Sequence, residues 1–148
     1  MIAGPIIFYG LKERNRVAAR DPSEAFKSIN REYMPIKTVT EVRADTVVTV
    51  AVAPEDRRRA ALLYRFPSGN RSLGFRLDEG QTMVRFESCP EDKRRFSGPG
   101  VVGPRTQFNG GFLFTEPQCL RLDVYNQTRG TARRHVVPYG RPRSACER

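Results

Sequence analysis

From Pro35 onward, turn-forming residues interrupt the chain every 8–12 residues, and between the interruptions apolar side chains repeat with a period of two. Breaks at that interval leave no room for ordinary helices, so they confine the chain to short strands joined by turns. Ile36, Thr38, Thr40 and Val42 fall on one face of the first such segment, with Lys37, Val39, Glu41 and Arg43 on the other. Residues 46–52 (TVVTVAV) form a β-branched run of the kind that packs well on a pleated surface. Further strands are expected at residues 60–66, 72–77, 82–88, 111–115, 119–125 and 133–139. Pro54-Glu55-Asp56, Pro67-Ser68-Gly69-Asn70, Asp78-Glu79-Gly80 and Glu116-Pro117-Gln118 mark the turns between them. Seven or eight short strands without regular strand–helix alternation predict an all-β fold, an antiparallel β-sandwich.

The N-terminal third reads differently. Asp21-Pro22-Ser23-Glu24 carries a cap residue, a proline at the first helical position and an acidic first turn. Ala25, Phe26, Ile29 and Tyr33 follow at helical spacing, which predicts one short helix over residues 22–33, stopped by Pro35. The opening MIAGPIIFYGL is apolar for 11 residues, too short to span a bilayer, and no basic region precedes it. It reads either as a first strand or as the stretch after a targeting segment absent from this chain. The expected core draws on Val39, Val48, Val50, Leu62, Leu63, Phe86, Phe112, Phe114, Leu120, Leu122 and Val124.

A length of 148 residues suits one domain spanning 1–148, with 1–34 as an N-terminal segment and 143–148 as a tail. Its charge is lopsided: 26 Lys+Arg face 16 Asp+Glu, and only four of the basic residues are lysine. Arginine makes planar, bidentate contacts with phosphate and carboxylate, so the excess suits an anionic partner. Codon usage in a GC-rich genome gives the same excess without one. Arg57-Arg58-Arg59, Lys93-Arg94-Arg95 and Arg133-Arg134 sit at expected turns or strand ends. If those loops meet at one end of the sandwich, they form an anion-attracting surface. Tyr64, Phe66, Phe75 and Phe96 lie near them in sequence and could stack on bases, although their alternation fits a core equally well.

Catalytic and metal-binding patterns are weak. The G-x-G-x-x-G at residues 98–103 has prolines around it and no helix after it, so it lacks the context of a dinucleotide loop. His135 is the lone histidine, and Asp78, Glu79, Glu87 and Asp123 are spread over different segments. General acid–base chemistry needs two such groups to converge. No cofactor, no metal and no catalytic residue is therefore assigned. A hydrolase centred on the irregular residues 90–110, drawing on Glu87, Asp123 and His135, is the weaker alternative. Asn70-Arg71-Ser72 and Asn126-Gln127-Thr128 match the glycosylation acceptor pattern, which matters only in a eukaryotic secretory pathway.

Three cysteines are present, none in a C-x-x-C pair. Cys89 follows one expected strand and Cys119 opens another, a placement that suits a disulfide between neighbouring strands or sheets. Cys146 is then free, paired in place of one of the others, or intermolecular.

The block from Val84 to Val124 carries Val84-Arg85-Phe86-x-x-Cys89, Thr106-Gln107-Phe108-Asn109-Gly110-Gly111-Phe112 and Pro117-x-Cys119. It resembles a group of small exported bacterial proteins of uncharacterised function. Gly4-Pro5 followed by Phe8-Tyr9-Gly10-Leu11 is similar to the stretch after the membrane anchor in that group. The resemblance implies an extracytoplasmic β domain with a Cys89–Cys119 bridge and an anchor upstream of this chain. It implies no activity. The expected function is a non-catalytic binding or accessory module of the bacterial envelope. Its arginine-rich loops would meet an anionic envelope polymer or a phospholipid surface. A cytoplasmic nucleic-acid-binding β protein is the alternative.

Overall fold

The computed structural model describes residues 1–29, 31–66, 74–90 and 105–146. They form an all-β antiparallel sandwich with one helix of more than a single turn. The first sheet has the order β1 (Ile2–Ala3), β2 (Ile6–Phe8), β5 (Ile36–Arg43), β10 (Arg105–Phe114), β7 (Ala60–Leu63). The second runs β12 (Thr131–Tyr139), β11 (Gln118–Asn126), β6 (Val47–Val52), β9 (Met83–Glu87). A small third sheet joins β3 (Ser28–Ile29), β4 (Glu32–Tyr33) and β8 (Phe75–Arg76).

Alternation decides what faces inward. Val48, Val50 and Val52 of β6, Leu120, Leu122 and Val124 of β11, and Val137 and Tyr139 of β12 point from one sheet. Ile6, Phe8, Val42, Leu62, Phe112 and Phe114 point from the other, and together they form one core cluster. β7 departs from alternation because both of its faces are covered. Ala60 and Leu62 join the main core, while Ala61 and Leu63 pack with Phe75 and Leu113 in a smaller cluster outside the first sheet. At that edge Leu62 also exchanges backbone hydrogen bonds with Gln81, just ahead of β9.

Four expectations need correction. Val39 is 39% exposed; the threonine-bearing face of β5 is the one that turns inward, with Thr38, Thr40 and Val42 buried. The Thr40 hydroxyl finds its partner in the Tyr64 hydroxyl at 2.5 Å, which is how a buried polar side chain is tolerated there.

The helix lies earlier than expected. α1 is Leu11–Arg20, and Asp21-Pro22 opens only the four-residue α2 (Pro22–Ala25). The Asp21 cap is real, since its carboxylate accepts from the Glu24 N–H at 3.2 Å. Ser28 and Ile29 then pair with Tyr33 and Glu32 as a hairpin, so the 3.6-residue pattern stops at α2. α1 is held by few apolar residues: Leu11 and Ala18, seven positions apart on one face, are buried in the main core.

β10 begins at Arg105, not at residue 111, and pairs with β5 from Arg105↔Arg43 to Phe112↔Ile36. Its two glycines sit inside the strand. A Cβ on Gly110 would lie 2.2 Å from the Tyr64 ring, and one on Gly111 would lie 2.2 Å from the Ile36 carbonyl oxygen. Glycine here permits close approach, and no loop is needed.

The cysteine pairing is the fourth correction. Cys119 is bridged to Cys146, with Cα atoms 5.4 Å apart, and Cys89 is a free, exposed thiol. Strand direction explains it. β9 runs antiparallel to β6 and delivers Cys89 beside Asp45 and Thr106, where β6 and β10 begin. All of β10 then intervenes before Cys119, which lies opposite Pro138 near the far end of the sandwich. After β12 the chain folds back through Gly140 (φ 65°) and brings Cys146 to Cys119. The N-terminal apolar stretch serves as the hairpin β1–β2, with Ala3, Ile6 and Phe8 fully buried.

Candidate anion-binding site

Register brings a set of strand ends together. β5 ends, β6 begins, β10 begins, β11 ends and β12 begins at one end of the sandwich. Between these ends and the Gly4-Pro5 turn lies a cleft of about 620 Å³. Its walls are fixed by hydrogen bonds from one turn to another. The Val47 N–H donates to the Thr128 hydroxyl at 3.0 Å, and the Gln127 amide donates to the Thr49 hydroxyl at 2.9 Å. The Asn126 side chain accepts from the Arg129 N–H at 3.2 Å, and Gly130 takes a positive φ of 59° to complete the turn into β12. Asn126 is therefore buried and engaged, so its acceptor pattern is not presented to solvent. On the β5–β6 side, the Ser88 hydroxyl accepts from the Thr46 N–H at 2.9 Å and donates to the Thr46 carbonyl at 3.0 Å.

Into this frame project Arg43, Arg105, Arg129 and Arg133, with Asp45 as the one carboxylate among the described lining residues, and His135. Arg43 and Arg105 stand directly opposite each other in the β5–β10 ladder. Like charges in that relation are destabilising unless something neutralises them. Arg105 reaches Glu41 only at 3.9 Å, and that carboxylate also accepts from the Tyr9 hydroxyl and the Gln107 amide. Among the described residues, Arg43, Arg129 and Arg133 have no carboxylate at ion-pair distance. The His135 Nε2 is buried and has no hydrogen-bond partner among the described residues. Burial first, and then the Arg133 charge, push its pKa below the ordinary imidazole value, so the ring is held neutral.

The arginine clusters singled out from sequence do not assemble as expected. Arg57, Arg58 and Arg59 follow β6 and so lie at the opposite end of the sandwich from the cleft. Two of them are occupied: Arg57 Nε donates to the Val52 carbonyl at 3.1 Å, and Arg59 holds Asp56 at 3.0 Å and Glu116 at 3.3 Å. Arg58 makes no ion pair among the described residues. Arg133 reaches the cleft, but its neighbour Arg134 points to the other face of β12 and holds Asp123 at 2.7 Å. Arg94 and Arg95 lie outside the described residues, as do the glycine motif at 98–103 and Phe96.

Asp56 is the centre of the far end. Its side chain is fully buried and receives Arg121 Nε at 3.0 Å, Arg121 Nη2 at 2.7 Å and the Arg121 backbone N–H at 2.8 Å. Burial pushes this carboxyl up, but the Arg121 and Arg59 contacts outweigh it and hold the pKa below the usual range. The group is structural: it ties the turn after β6 to β11.

Acids weighed as catalytic are likewise engaged with neighbouring cations. Asp123 holds Arg134, Glu87 holds Arg85 at 3.2 Å, and Asp78 holds Arg76 at 3.2 Å, while Glu79 accepts from the Arg76 N–H at 2.7 Å. No group of three metal-ligating side chains occurs among the described residues. Of the described aromatic residues considered for base stacking, Tyr64 and Phe75 pack inward and Phe66 is 50% exposed. Tyr64 sits edge-on to Phe86, and Phe66 rests against the buried Phe75.

Sequence reasoning missed Arg43, Arg105 and Arg129. Each is a lone arginine at a strand end or turn, and only the strand register brings them together. Comparison with protein-family models, with curated proteins and with solved structures returned no match.

Proposed function

We propose that this chain is a non-catalytic binding module of the bacterial envelope whose end cleft receives a polyanion. The observation carrying this reading is the cleft's charge: four guanidinium groups around one carboxylate, three of them without an acidic partner among the described residues. Guanidinium is weakly hydrated and forks onto phosphate oxygens, so an open cleft of this kind favours repeated anionic groups. Net charge of +10 adds long-range attraction that raises encounter rates and is screened by salt. An extracytoplasmic location is supported by the Cys119–Cys146 bridge, since disulfides persist in oxidising compartments. The same bridge, and the packing of Tyr64 and Phe75 into cores, weigh against the cytoplasmic nucleic-acid alternative.

Calorimetric titration with inorganic polyphosphate, and sedimentation with phosphatidylglycerol vesicles, test the reading at low and high salt. Saturable binding to either that weakens steeply as salt rises is expected, and the two probes separate a polymer from a lipid surface. No binding to either at low salt, or affinity that ignores salt, overturns it.

A further inference from the structure

A second cavity, larger than the end cleft, runs along the outer edge of β12. It holds about 1050 Å³ between α1 on one side and the bridged tail at Arg141–Cys146 on the other. Its walls are tied across by the Asn15 amide, which donates to the Arg141 carbonyl at 3.2 Å.

The base of the groove is apolar. Ile2 and Val136, 70% and 42% exposed, and Pro138 form its surface, with the buried Leu11 and Val137 beneath them. Covering such side chains is favourable in proportion to the apolar area removed from water. Along the rim, Lys12, Arg16 and Arg20 recur at i, i+4 and i+8 on one face of α1. Like charges at that spacing weaken an isolated helix. Among the described residues, none of the three has an acidic partner and none of those lining the groove carries a carboxylate. An apolar floor under a cationic rim suits a molecule with one apolar tail and one anionic head.

Two orphaned polar atoms narrow the head group. Among the described residues Asn15 Oδ1 and His135 Nε2 have no hydrogen-bond partner; both atoms are closed to solvent and both residues line this groove, so a ligand meets the amide oxygen only when the Asn15 side chain turns toward it. An unpaired buried acceptor is costly, and the amide oxygen can only be satisfied by a donor. A fatty carboxylate at neutral pH has no donor to offer; a glycerol hydroxyl beside a phosphate does. We infer that the groove between α1 and β12 binds a single-chain anionic glycerophospholipid, its acyl chain on Val136 and Pro138 and its phosphate on Lys12, Arg16 and Arg20. This site shares only His135 with the end cleft and does not depend on polyanion binding there.

The test uses the full chain with its disulfide intact and lysophosphatidylglycerol below its micellar concentration, read by calorimetry and native mass spectrometry. A 1:1 complex is expected. Laurate, which lacks the hydroxyl donor, and lysophosphatidylcholine, whose choline cancels the net negative charge of the head, should bind more weakly. Val136→Asp should weaken the complex by at least about tenfold, since it places a carboxylate on the apolar floor. Asn15→Ala should weaken lysophosphatidylglycerol by about three- to tenfold and leave laurate unchanged, as loss of one hydrogen bond predicts. Arg43→Gln with Arg129→Gln should leave lysophosphatidylglycerol unchanged, which separates this site from the cleft. Ile2→Asp provides a second floor variant should Val136→Asp melt early. Absence of a complex, equal affinity for all three probes, or binding of an acidic peptide but no lipid overturns the inference.

Discussion

Arg121 grips Asp56 three times, through Nε, Nη2 and its own backbone N–H, so one residue both neutralises and caps the buried carboxylate. Removing Asp56 deletes these three hydrogen bonds while the half-exposed Arg121 keeps Glu55 at 3.4 Å, so the cost is about 1.5–3 kcal/mol, the range for hydrogen bonds to charged groups. Asp56→Ala should therefore shift the urea midpoint strongly with little change in slope. Because the folded pKa of Asp56 lies below its unfolded value, the pair's contribution is complete above the unfolded pKa and disappears as pH falls through the folded one. Acid unfolding of Asp56→Ala should be correspondingly less steep between about pH 5 and 2, near and below the unperturbed carboxyl pKa. Wild-type stability in Asp56→Ala would remove this role.

The bridge between Cys119 and Cys146 closes a loop with a sequence separation of 27. Chain-entropy arguments assign such a loop about 3.5 kcal/mol, so Cys146→Ser should lower stability by up to that amount. Thiol titration of the unfolded, unreduced protein should find one reactive cysteine, and mapping should place it at Cys89. A label on Cys146 with Cys89 protected would contradict the pairing.

His135 should titrate below the ordinary imidazole value, because burial and Arg133 disfavour its charged form. The unfolded chain then binds the proton more readily. This group's contribution is present above the unfolded pKa, about 6.5, and declines as pH falls below it. A ring-proton NMR titration measures the shift directly. Filling the end cleft with polyphosphate should move the midpoint upward, since a nearby anion favours imidazolium; an unchanged midpoint would place the anion elsewhere.

Gly110→Ala should be strongly destabilising, because the added Cβ meets the Tyr64 ring and that ring is wedged against Phe86. Thermal melting checks it. The double variant Gly110→Ala, Tyr64→Leu should recover part of the loss, whereas an additive result would mean that the two residues do not touch.

Period-two alternation made β5, β9 and β11 legible in the sequence, a β-branched run did so for β6 and turn spacing for β12, each to within two residues at either end. Where legibility failed, a local signal had been outweighed by a contact made elsewhere. Gly110 read as loop because the Tyr64 ring, which requires it, is distant in sequence. α1 was hidden because its buried face consists of little more than Leu11 and Ala18 among charges. Only the first half of β10 was hidden, and it is the full strand between Cys89 and Cys119 that carries them to opposite ends. Runs of arginine attracted notice although Arg59 and Arg134 are engaged in ion pairs. The isolated Arg43, Arg105 and Arg129 did not, because register alone makes them neighbours.

The most direct test of the account compares polyphosphate affinity in wild type, in the triple variant Arg43→Gln, Arg129→Gln, Arg133→Gln, and in Arg58→Gln at the opposite end. The triple variant should lose at least about tenfold in affinity and show a shallower salt dependence, as loss of charge-assisted hydrogen bonds predicts. Arg58→Gln should match wild type. Equal losses in both variants would mean that overall charge, and not the cleft, holds the anion.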